Sequence, residues 1–72
     1  MDLNGFDTQL YVNLRTLVLN NELSQDTPAY EIAMQVVKRG YVSLSWTQRF
    51  TYQEEVVNPL RKRGLTAGRD RG

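Results

Sequence analysis

The chain has 72 residues, 40% of them hydrophobic and 24% charged, with a formal net charge of +1. It contains neither histidine nor cysteine, which excludes disulfides, removes the usual zinc ligands and takes away the common acid–base and nucleophile–base pairs of catalysis. A chain this short is one small domain, burying only about 60% of the surface its unfolded form exposes.

With no covalent or metal staple to support so small a core, a partner, or a second copy of the chain in a homodimer, is the expected support. No apolar run approaches the roughly 18 residues needed to cross a bilayer. The start, Met1-Asp2-Leu3-Asn4-Gly5, has neither the basic nor the apolar stretch of a signal peptide. A soluble cytoplasmic protein is expected, with no membrane association, no metal and no cofactor.

The first apolar-periodic stretch runs from about Thr8 to Asn20. Asp7 is a good N-cap, since its carboxylate can accept from free N–H groups of the first turn. Phe6 before the cap and Tyr11 at the fourth helical position fit a hydrophobic staple. Leu10, Leu14, Leu17 and Val18 then fall on one helical face. Asn20-Asn21 marks the end, because asparagine tolerates the left-handed conformation on which helices often finish.

The second stretch runs from Pro28 to about Arg39. Thr27 caps it, and proline suits the first helical position. Ala29, Ile32, Ala33, Val36 and Val37 share a face, Lys38 and Arg39 complement the negative end of the helix dipole, and Gly40 stops the helix.

The third helix is expected after Tyr41-Val42-Ser43-Leu44, which could form a short extended segment but has no obvious strand partner. Ser45-Trp46-Thr47-Gln48 has the form of a capping box. Trp46, Phe50, Val57 and Leu60 recur at helical spacing. Pro59 interrupts the pattern, since proline inside a helix removes a hydrogen bond and crowds the preceding turn. Three outcomes follow: a helix ending near Val57, a kinked helix reaching Arg63, or a break near Thr51. Residues 64–72, rich in Gly and Arg, have little to bury and are expected to form a flexible, disordered basic tail.

The expected fold is therefore all-α: a small three-helix bundle over residues 1–63, with a core of Leu10, Leu14, Leu17, Ile32, Ala33, Val36, Trp46, Phe50 and Val57.

Charge is distributed unevenly. Residues 1–37 carry five acids and one base, and residues 38–72 carry eight bases and three acids. The densest basic run, Arg61-Lys62-Arg63, is followed by Arg69 and Arg71. Such a cluster can bind phosphates, and equally can complement the end of a helix. A nucleic-acid reading would use Gln48, Arg49, Arg61, Lys62 and Arg63, with the second and third helices standing as a helix-turn-helix. The five residues from Gly40 to Leu44 are slightly long for that turn.

The paired acids Glu54-Glu55 point about 100° apart on a helix and do not converge on one atom, and the five glycines form no phosphate-binding loop. Enzymatic activity is not expected. The leading expectation is a non-enzymatic interaction module that binds another protein or itself, through a surface of Tyr41, Trp46, Arg49 and Tyr52, residue types that concentrate binding energy at interfaces. The alternative is a nucleic-acid-binding regulator.

Overall fold

A helix start leaves backbone N–H groups without partners, and in this chain a side chain answers each of the three principal starts. In the computed structural model, which describes residues 6–67, α1 spans Thr8–Leu19 and α2 spans Pro28–Arg39. The Asp7 carboxylate accepts from the Leu10 N–H at 3.0 Å, and the Thr27 hydroxyl accepts from the Tyr30 N–H at 3.3 Å. The Phe6 and Tyr11 rings meet at 6.2 Å, which closes the staple. The Asp7 N–H donates to the Val37 carbonyl at 2.9 Å, tying the start of α1 to the end of α2.

Asparagine ends α1 as expected. Asn21 takes a left-handed φ of 60°. The Glu22 N–H reaches back to the Leu17 carbonyl at 2.8 Å, and the Asn21 N–H to Val18 at 3.1 Å. This paired return is a Schellman motif, and it delivers Leu23 into the core. At the end of α2, Gly40 adopts φ 91° and ψ 159°, a combination essentially restricted to glycine. Tyr41–Ser43 is a 3₁₀ turn rather than an extended segment. The Gln35 amide holds it, donating to the Ser43 carbonyl and hydroxyl, each at 3.1 Å.

The third rod has three parts: α3 at Trp46–Tyr52, a π-helical turn at Gln53–Val57, and α4 at Asn58–Lys62. Both bonds of the Ser45–Gln48 capping box are present. Backbone angles stay right-handed helical at Tyr52, Gln53, Val57 and Asn58. The rod therefore breaks neither at Thr51 nor at Val57, and runs through Pro59 to Lys62. The π turn has a physical cause. A proline ring crowds the carbonyl four residues before it, here that of Glu55, and the wider turn makes room. The Asn58 N–H accordingly donates to Gln53, five residues back.

The fold is all-helical, with three helical rods and no strand among the described residues. Leu10, Leu14, Leu17, Ile32, Ala33 and Val36 form the core as expected, joined by Leu23, Ala29 and Val37. The third rod corrects the expected core. Trp46 is 84% exposed and Phe50 70%, and Val57 only packs at the edge. Their place is taken by Leu44, Tyr52, Val56 and Leu60. Leu44, just before the Ser45 cap, enters the core first and sets the orientation of the rod. Trp46 begins the next turn outside.

The segment after α4 also departs from expectation. Gly64 has φ 75° and builds a second Schellman return, with the Leu65 N–H donating to the Leu60 carbonyl at 2.9 Å. Leu65 and Ala67 fold back against the core. The Asn13 amide, itself buried, donates to the Thr66 carbonyl at 3.0 Å, and the Tyr52 hydroxyl donates to the Ala67 carbonyl at 2.9 Å. The start of the expected tail is thus a strap across α1 and α3. Residues 68–72 lie outside the described residues, with Arg69 and Arg71 among them.

Candidate interaction surface

Of the four residues expected at a protein interface, the fold brings three into one stack. The Arg49 guanidinium lies 5.1 Å from the centre of the Tyr41 ring, and Tyr41 meets Tyr52 at 5.8 Å. A cation over an aromatic face contributes about 0.5–1 kcal/mol at exposed sites. Arg49 also donates to the Val42 carbonyl at 3.4 Å, which draws the 3₁₀ turn onto α3. Tyr52 anchors the stack from inside. It is 2% exposed, so it supports the surface rather than forming it. Burial, aided by the nearby Asp7 charge, holds its hydroxyl protonated well above the ordinary tyrosine range.

What faces solvent is apolar. Val42 is 81% exposed, and Trp46 and Phe50 stand one turn apart on the outer face of α3. Tyr41 is exposed at the margin. Single exposed apolar residues are ordinary, but a cluster containing the chain's one tryptophan is a feature of binding surfaces. Phe50 and Val42 were missed as surface residues in the sequence, because Phe50 fits the apolar period of the third helix and Val42 sits in a run that looks extended. The signal that could have found them is the stripe Leu44, Tyr52, Val56, Leu60 at multiples of four, interrupted by Gln48.

Of the residues expected to contact nucleic acid, Arg61, Lys62 and Arg63 line one open hollow, and Gln48 and Arg49 are engaged elsewhere on the fold. Gln48 is held in the capping box, where its side chain accepts from the Ser45 N–H at 2.8 Å. Arg49 is held by Tyr41 and Val42. Arg63 bridges across 41 residues to Glu22, with its Nε donating at 3.1 Å. That hydrogen bond holds the Glu22 carboxyl below its ordinary range, outweighing desolvation, and Lys62 adds to it. Arg61 and Lys62 remain exposed beside an open hollow that also carries Glu22 and Glu54.

Among the described residues no group of three or more acids, histidines or cysteines could hold a metal ion, and no helix is long and apolar enough to cross a membrane. No family model, curated protein or solved structure matches this chain.

Proposed function

We propose that the protein is a non-enzymatic interaction module that binds a protein through the outer face of α3 and the adjoining turn: Val42, Trp46 and Phe50, with Tyr41 and Arg49 at the margin. One observation carries this reading. In a chain with a small core, two large aromatic side chains on adjacent turns lie 84% and 70% exposed, while the inner face of the same rod is filled by Tyr52, Val56 and Leu60. Exposed side chains of this kind at the centre of an apolar patch supply most of the binding energy at protein interfaces.

The candidate nucleic-acid contacts support that reading less well. Gln48, Arg49 and Arg63 are engaged within the fold, and Arg61 and Lys62 line a hollow shared with Glu22 and Glu54. Affinity capture tests the two together. Immobilised protein is expected to retain a protein partner that Trp46→Ser, Phe50→Ser double substitution releases, with retention unchanged by nuclease. Retention that survives the double substitution but is lost with nuclease, or with Arg61→Ala and Lys62→Ala, would overturn the proposal.

A further inference from the structure

We infer that the groove between α1 and the third rod, filled in this structure by Leu65–Ala67, is a docking site for a linear peptide segment of a partner protein, a leucine followed by small residues, and that the strap is its built-in competitor. The strap itself shows the chemistry of the occupant. The inference does not depend on the surface proposed above.

Among the described residues the core is apolar except for Asn13 and the hydroxyl of Tyr52. A leucine and a phenylalanine in their places would need no partner, whereas a buried polar group costs stability unless it is hydrogen-bonded. Both exceptions turn to the same short run. The Asn13 amide donates to the Thr66 carbonyl at 3.0 Å, and the Tyr52 hydroxyl donates to the Ala67 carbonyl at 2.9 Å. Gln9 fixes the aim: its amide donates to the Asn13 Oδ1 at 3.1 Å, which leaves the Asn13 Nδ2 for the strap. Helix α1 and the third rod thus supply one donor each, placed for the carbonyls of consecutive residues.

These bonds read main chain. From the two donors, only the 3.4 Å bond of Asn13 to the Thr66 hydroxyl meets a strap side chain, and Thr66 is exposed. Side-chain selection falls on Leu65 and Ala67, which pack against the core. Main-chain bonds for affinity, joined to apolar contacts for selection, are how grooves recognise linear peptides. The hold on the strap is also light. Gly64, at φ 75°, gives it a pivot. Two main-chain hydrogen bonds and two half-buried side chains place it at the low-stability end of the fold. When it swings out, both donors and an apolar slot face solvent together.

A tethered occupant competes at an effective concentration of about millimolar or more, so weakening it raises the apparent affinity for a free peptide. The probe is a blocked synthetic peptide with the sequence of residues 64–68, titrated into the full chain and read by amide chemical shifts. Leu65→Asp removes the apolar anchor of the strap and leaves Asn13 and Tyr52 untouched. This variant should bind the peptide at least about tenfold more tightly than the unsubstituted chain, with an unchanged helical spectrum. Adding Asn13→Ala should reverse the gain.

Equal affinity for the two chains, no binding to a folded Leu65→Asp variant, or binding indifferent to Asn13→Ala overturns the inference and leaves the strap a structural element only. If Leu65→Asp does not fold, the unsubstituted chain decides. At millimolar peptide its Thr66 and Ala67 amide signals should move to random-coil positions, and signals that stay in place overturn the inference equally.

Discussion

Phe50 and Tyr52 are two residues apart on one helix, and substituting each by alanine separates the observed packing from its alternative. Tyr52 is 2% exposed and contacts Tyr41, with its hydroxyl on the Ala67 carbonyl. Replacing a buried aromatic by alanine removes its transfer energy and leaves a cavity, at about 3–5 kcal/mol. That is comparable with the whole stability of a domain this size, so Tyr52→Ala is expected to be largely unfolded. Tyr52→Phe is the graded version. It keeps the ring and loses one hydrogen bond, about 1 kcal/mol, which lowers Tm by roughly 4–8 °C. Phe50→Ala should change stability by no more than about 0.5 kcal/mol. Thermal and urea unfolding followed by circular dichroism would measure all three. The comparison belongs at about 5 µM, where self-association adds least to apparent stability. If Phe50→Ala cost as much as Tyr52→Ala at that concentration, the inner and outer faces of α3 would be reversed and the interaction surface would fall with them.

Two further substitutions probe the turns and the ion pair. Gly40→Ala places a methyl group in open space, with nothing within 4 Å, yet it should destabilise by about 1–3 kcal/mol because the backbone conformation alone excludes it; a neutral result in urea unfolding would refute the glycine requirement. Glu22 has a carboxyl held below its ordinary range by Arg63. Its contribution is therefore complete above the ordinary glutamate range and fades as pH falls through the lowered value. Glu22→Gln should flatten that part of the acid limb of stability against pH, and an unchanged limb would show that the pair contributes nothing in solution.

The helix starts, their caps and the core faces of α1 and α2 were legible because each is written within a few residues. Asp7 with Leu10, Thr27 with Pro28, and Ser45 with Gln48 are local partners, and their chemistry does not depend on the rest of the fold. The face of the third rod was not legible. Positions spaced by four drift about 40° per step around a regular α-helix, so Leu44, Tyr52, Val56 and Leu60 do not form a straight stripe on paper. The π turn takes back part of that drift, and it follows from Pro59, whose effect was expected as an interruption rather than a change of pitch. The more aromatic set, Trp46 and Phe50, therefore looked like the core. The strap failed for a different reason. Gly64 does end the helix, but the same left-handed turn sends Leu65 home, and the partners that receive Thr66 and Ala67 lie at Asn13 and Tyr52, far away in sequence.

That distance has a kinetic consequence. Asn13 and Thr66 are 53 residues apart, and Glu22 and Arg63 are 41 apart. Contacts that close long loops are costly in chain entropy until the rest of the fold has drawn the ends together. The α1–α2 pairing and the local return at Gly64 can form early, whereas the strap is expected to dock after the folding barrier has been crossed. Weakening it should then speed unfolding and leave the refolding rate nearly unchanged. Asn13→Ala, measured by stopped-flow in urea, should steepen no limb of the chevron but raise the unfolding limb alone. On that outcome the strap is a latch on the lifetime of the folded state, set by the last contacts to form.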